Sequence, residues 1–338
     1  MEPNRQPSQN RIARGDGIVL CIGLDIAWFG GSAKKKDSQY DCLASALVRP
    51  EDQGINLQIN RVGLEDRDPD AVQLLQGVDA LLNEHRGVER IVFAMDAPIQ
   101  AAVRDHFVAR TPLSVAGMVE RRACENRLSE RRQAIDREAV GVNGWHPNIQ
   151  PGAPLAPRVE QLLEGLIGRG FDFWMTDNRI PEKLVIECFP AEAIWAMKRI
   201  GCYPDVITAA KAKAYKRQQG KRLTAEQVQS LVHDVLDSFG TSCVGNERWL
   251  GLVNAVIAWM TDDQTGQTED GLYRGGKLLD DVVDTMICLA TSLSYAHERA
   301  HVWFDPADVD DGHIIGPGIQ DDGRWVAAWP AEANEGAP

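Results

Sequence analysis

The chain has 338 residues, 44% of them hydrophobic and 25% charged, and a formal net charge of −13. That length suits one large domain or two ordinary ones, and the apolar fraction supplies a sizeable core and excludes a wholly disordered chain. The charge is uneven: residues 305–338 carry −7, which leaves −6 for the rest and removes any simple charge argument for or against nucleic acid.

The chain has 7 Cys and no CxxC pair. Cys21, Cys188 and Cys288 sit inside apolar runs, where Cys behaves as a small buried hydrophobe. An odd count without a framework points to a reducing, cytoplasmic setting, with neither disulfides nor a zinc site. No run reaches about 18 uninterrupted apolar residues, so no membrane span is expected. Residues 1–16 contain no apolar segment and read as a disordered arm rather than a signal peptide.

The first element is Gly17–Leu24, eight uncharged residues followed by Asp25. A short run rich in Ile, Val and Leu reads as a strand buried on both faces. A carboxylate at its end is costly to bury without a partner. Tyr40–Val48 and Ile55–Leu64 read as two more strands, and the short PEDQG link makes them a hairpin. A helix opens at Asp68-Pro69 and runs to about His85, with Val72, Leu75, Val78 and Leu82 at helical spacing. Glu89–Met95 is another buried strand and ends in Asp96-Ala97-Pro98.

Residues 98–180 read as a first insertion. Its helix over 117–140 carries Arg121, Arg122, Glu125, Arg127, Arg131, Arg132 and Arg137. Either this is a solvated face with i,i+4 pairs, or Arg122 and its neighbours face phosphate. Residues 143–157 form a Pro/Gly-rich loop, Val159–Ile167 a short helix and Phe171–Met175 a strand. Leu184–Cys188 is a short apolar strand with Glu187 inside it, and a helix follows over Ala191–Ile200.

A second insertion spans about 203–263. It contains KAKAYKRQQGKR, with Lys213, Lys216, Lys221 and Arg222 and no acid. This is either a soluble helix surface or a patch that touches nucleic acid. Asn246–Met260 reads as an apolar core helix. The last strong element is the helix Lys277–His297. Leu279, Val282, Val283, Met286, Ile287, Ala290 and Leu293 form its core stripe, while Asp281, Asp284, Cys288, Thr291 and Tyr295 lie opposite. No charge falls between Asp284 and Glu298, so the helix is expected to be covered on most sides. Residues 305–338 read as an acidic tail.

Asp25, Asp96, Glu187, Asp281 and Asp284 therefore form a constellation. Parallel strands that end in acids bring them to one sheet edge, where open α/β folds hold ligands. Such carboxylates repel one another unless cations neutralise them, and hard oxygen ligands suit Mg²⁺ or Mn²⁺. Two ions about 3.5–4 Å apart would activate water and stabilise the leaving oxygen in phosphodiester hydrolysis. Each acid also has a structural reading: Asp96 could cap a helix, and Glu187 could pair with an Arg.

The ordered motifs GLDIAW, VFAMDAP, RRACENRL, VIECFPAEAIWAM, KAYKRQQGKR and DDVVDTMICLATS resemble domain-of-unknown-function family 429, described as predicted nucleases. The resemblance spans most of residues 17–298. It implies an α/β, ribonuclease-H-like mixed sheet flanked by helices over 17–304, interrupted by the two insertions. It also implies that Asp25, Asp96, Asp281 and Asp284 are the catalytic, metal-binding acids. Glu187, and Arg122 with Glu125, match family positions, while Thr285 stands where the family often has Ala. The expected function is a Mg/Mn-dependent nuclease. The alternatives are an ATP-dependent kinase or ATPase of the actin–hexokinase type, using Gly30-Gly31-Ser32 and Gly275-Gly276, or a non-catalytic module on the same fold.

Overall fold

The computed structural model describes residues 17–26, 40–48, 56–63, 71–97, 99, 155–173, 181–190, 193–194, 221–239, 251, 253–258, 272–274, 277–296, 300–305, 308–317, 319–321 and 324–326. The helix expected over 117–140, Lys213, Lys216 and both glycine pairs lie outside them. The fold is mixed α/β. Strands β1 (Val19–Asp25), β2 (Tyr40–Val48) and β3 (Asn56–Gly63) are joined by β4 (Arg90–Met95), β5 (Asp172–Phe173) and β6 (Lys183–Glu187) in one sheet of order β3-β2-β1-β4-β6-β5. β1–β2 and β2–β3 pair antiparallel, whereas β1–β4, β4–β6 and β5–β6 pair parallel.

β1 lies inside the sheet, and every one of its residues is buried. Strand alternation sends its side chains to two different cores. Leu20, Ile22 and Leu24 join Phe93, Met95 and Val185 under helices α1 (Val72–Glu84) and α2 (Leu155–Ile167). Cys21 joins Val92, Ala94, Leu184 and Ile186 on the other face. That face is covered by helix α4 (Lys277–Ala296), with α3 (Ala225–Phe239) packed on α4.

Three parts of the sequence reading change. α2 and β5 fall within the expected 98–180 insertion, yet Leu162, Leu163 and Leu166 fill the α1 core and β5 extends the sheet. The physical reason is that α1 covers only part of that face. Arg169 fixes the arrangement by bonding both carboxylate oxygens of Asp79 on α1 at 2.6 Å each. Within the second expected insertion, α3 presents Val228, Val232, Val235 and Leu236 to α4 as core. It starts with a capping box: Gln227 N–H donates to Thr224 Oγ1 at 3.3 Å, and Thr224 N–H donates to Gln227 Oε1 at 3.0 Å.

The third change is the C-terminal stretch expected as an acidic tail from 305. It carries β10 (Asp308–Pro317), which pairs antiparallel with the preceding β9 (Ala300–Asp305), then β11 (Ile319–Asp321) with β12 (Arg324–Val326). Ile314 and Ile315 are buried, and Ile315 bridges Cys188 just past β6. Two adjacent buried isoleucines give the stretch an apolar anchor that its net charge does not reveal.

α4 is enclosed: residues 281–294 are all buried. Two of its buried hydroxyls are bonded by its own backbone. Thr291 Oγ1 donates to Ile287 O at 2.9 Å, and Ser292 Oγ to Leu289 O at 2.8 Å. No described helix is long and apolar enough to cross a membrane.

Candidate metal centre

The register of the sheet builds one transverse row at the carboxyl ends of its parallel strands. Asp25 pairs with Cys42 of β2. Leu24 pairs with Met95, and Met95 with Glu187. One step further, Asp96 therefore stands level with Asp25, and Cys188 level with Asp96. Backbone bonds extend the ladders to this point: Asp96 N–H donates to Leu24 O at 3.0 Å, and Cys188 N–H to Met95 O at 2.9 Å.

α4 crosses directly above this row. It can come close because β1 has glycine at position 23. A Cβ on Gly23 would lie 2.4 Å from Leu289 N and 2.5 Å from Thr285 O. The helix backbone thus rests on the strand backbone, with no side chain as spacer. The result is a group of three carboxylates. Asp25, Asp96 and Asp284 each offer an oxygen, and these atoms lie within 4.8 Å of one another. Asp25 is 7% exposed and Asp284 2%, while Asp96 is partly exposed. The group therefore sits at the rim of the sheet and opens at Asp96.

The donor set suits a hard divalent cation. All three donors are carboxylate oxygens, and their negative charges repel at this distance. Around an ion with oxygens at about 2.1 Å, adjacent ligands stand about 3.0 Å apart and opposite ones about 4.2 Å, so the three carboxylates would draw together on binding. One nearby thiol registers the same field. Cys288, one turn beyond Asp284, is pushed well above its ordinary range, first by burial, then by the hydrogen bond and charge of Cys188, then by the charges of Asp96 and Asp25.

Two of the expected acids are not members of this group. Glu187 ends β6 at the same edge, but it alternates with Val185 and so faces the α1 core. Its Oε2 accepts a hydrogen bond from Ile99 N–H at 3.3 Å. Asp281 shares α4 with Asp284 and is buried, but lies outside the three-carboxylate group. Its carbonyl oxygen accepts a bond from Thr285 Oγ1 at 2.6 Å.

Among the expected basic residues, Lys221 and Arg222 are described, and both are exposed. Arg222 opens β7 (Arg222–Leu223), which pairs antiparallel with β8 (Tyr273–Arg274) and places Arg222 opposite Arg274. β8 lies only a few residues before α4, so this ribbon leads into the N-terminal end of the helix that carries Asp284.

Sequence reasoning missed Asp41, which is 0% exposed at the start of β2, at the same edge. It alternates with Leu43 and so faces the α1 core. Its only sequence signal was an acid directly after the strand-opening Tyr40. Comparison with protein-family models, curated proteins and solved structures found no match.

Proposed function

We propose that this protein is a Mg²⁺- or Mn²⁺-dependent nuclease on a ribonuclease-H-like fold, related to domain-of-unknown-function family 429. The observation that carries the reading is the group of Asp25, Asp96 and Asp284, with oxygens within 4.8 Å on one face of a strand-end edge. Its donors are all hard oxygens, which favours Mg²⁺ or Mn²⁺ over soft metals. The sheet supports the fold reading: it is mixed, β1 is central, and the acids sit where β1 and β4 end.

In this reading Asp25 and Asp284 hold the cation from the strand and the helix, and Asp96 holds it from the solvent side. Asp281, three residues before Asp284, is the closest further acid in the chain to extend the site. A bound divalent ion would supply Lewis acidity, which activates water and stabilises a leaving oxygen. In the same reading the exposed Lys221 and Arg222 would meet the phosphates of a nucleic acid.

The test is cleavage of single-stranded, double-stranded and hybrid substrates in Mn²⁺, with Asp96→Asn and Asp284→Asn as controls. Both variants should lose at least about a thousandfold in rate while remaining folded. A wild-type protein that cuts none of these substrates refutes the nuclease assignment.

A further inference from the structure

We infer that Thr285 is a positioning residue for the carboxylate group, and that its hydroxyl latches α4 to β2 and so sets the span between Asp284 and Asp25. This inference rests on the cation-site reading above. Thr285 follows Asp284 directly and is 1% exposed. Its Oγ1 lies 3.1 Å from the carbonyl oxygen of Cys42 and 2.6 Å from that of Asp281.

Cys42 is the residue that pairs with Asp25 across the β1–β2 ladder. One hydroxyl thus joins the neighbour of one carboxylate to the strand partner of another, across 243 positions of sequence. The bond to Asp281 is the usual back-bond of a helical Thr to the carbonyl four residues before it, and alone would say nothing about β2. The bond to Cys42 is different, because it links two elements. A hydroxyl has one proton, so the two carbonyls share or alternate in receiving it.

The backbone of the same residue completes the contact. The carbonyl oxygen of Thr285 is one of the atoms that a Cβ on Gly23 would strike, at 2.5 Å. Thr285 therefore meets β1 through its carbonyl and β2 through its hydroxyl, which fixes both the depth and the rotation of α4 at Asp284. Hard cations demand ligand positions accurate to a few tenths of an ångström. A group that fixes a ligand's carrier can therefore govern affinity without touching the ion.

The experiment uses the full-length protein and Mn²⁺ alone. Affinity is read from the free-ion EPR signal, and melting is read with and without Mn²⁺. Thr285→Val keeps the branched shape and removes the hydroxyl. It should weaken Mn²⁺ binding by at least about tenfold. Thr285→Ser keeps the hydroxyl and should stay within about threefold of wild type, a rescue that a purely space-filling Thr would not show. If Thr285→Val does not fold, Thr285→Ala is read by the same criterion.

Wild-type Mn²⁺ affinity in Thr285→Val, or in Thr285→Ala, overturns the latch even if metal-free melting falls. Equal weakening in the Val and Ser variants overturns it as well, since shape rather than the hydroxyl would then matter. Asp25→Asn separates this failure from failure of the site. If that variant binds Mn²⁺ like wild type, the cation site itself is refuted, and the latch with it. If Asp25→Asn loses Mn²⁺ while Thr285→Val keeps it, only the latch fails.

Discussion

Gly23→Ala tests the contact on which the site depends. The new Cβ would stand 2.4 Å from Leu289 N, 2.5 Å from Thr285 O and 2.8 Å from Leu289 Cα. Carbon contacts are comfortable from about 3.5 Å, so α4 has to retreat by roughly 1 Å. All three atoms are helix backbone, which cannot swing aside as a side-chain tip can. Overpacking a filled core costs about 1–3 kcal/mol, and a backbone clash belongs at the upper end. Removing a strand glycine returns up to about 1 kcal/mol through the unfolded chain. The expected net loss is therefore roughly 2 kcal/mol, or a fall of about 3 °C in Tm for a domain of this size. Guanidinium unfolding should show a lower midpoint at unchanged slope. Mn²⁺ affinity should fall too, because the retreat carries Asp284 from Asp25. Gly251→Ala is the matched control: position 251 is helical, and its Cβ would meet nothing within 4 Å. That change should stabilise by about 0.5–1 kcal/mol. Wild-type stability and Mn²⁺ affinity in Gly23→Ala would refute the backbone-on-backbone seating of α4.

The remaining predictions concern charge, thiols and a helix start. Asp25→Asn should raise melting in EDTA, or leave it unchanged, by removing repulsion among three acids, and should abolish the Mn²⁺-induced shift; a clear loss of metal-free stability would make Asp25 structural. Arg169 holds the Asp79 carboxyl below its ordinary value, first through their hydrogen bond. A depressed folded value contributes stability above the unfolded value of 3.8 and loses it as pH falls through the folded one. Asp79→Asn should therefore cost under about 1 kcal/mol at neutral pH, given the partly exposed pair, and nothing at pH 2, as read from unfolding curves at both pH values. The Cys21 thiol is pushed up to about 12, chiefly by burial, so iodoacetamide at pH 8 should leave it unlabelled until the protein unfolds; peptide mass spectrometry of native protein reads this directly. Thr224→Ala should cost about 1 kcal/mol by removing the cap of α3, measured by chemical denaturation.

Much of the fold was legible because the sheet is buried. β1 and β4 read as strands from uninterrupted apolar runs, since both faces are covered and no polar alternation is needed. β2 and β3 read from their β-rich runs and the short link between them. α4 read from its heptad-like stripe and its missing charges, and both signals come from enclosure. α3 is equally legible: Thr224-Ala-Glu-Gln227 is a capping box, and Val228, Val232, Val235 and Leu236 follow at helical spacing. The β7–β8 ribbon left no local trace, because two residues at 222–223 pair with two at 273–274, and no periodicity spans that separation. In the C-terminal stretch, net charge masked Ile314 and Ile315. Charge reports solubility, whereas two adjacent buried isoleucines decide where the strand lies.

The site shows how a single register step selects among acids that look alike in sequence. Asp96 and Glu187 each end an apolar strand of a parallel pair, and both reach the same edge. Yet Met95, not Asp96, pairs with Glu187. Residues level across a sheet share a face, so Glu187 lies with Met95 over the α1 core, and Cys188 takes the place beside Asp96. A one-residue offset therefore turns one acid toward α4 and the other away from it. Glu187 then finds a backbone N–H at Ile99, which holds the chain leaving Asp96 as it turns over the sheet edge. The acid absent from the carboxylate group thus supports the segment that follows one of its members, through the opposite face. In the row Cys42–Asp25–Asp96–Cys188 the two acids occupy the middle positions, and the small, weakly polar thiols flank them. Bulkier or charged flanks would either lift α4 or divert a carboxylate into an ion pair. Small neutral flanks let the helix descend until Asp284 completes the group.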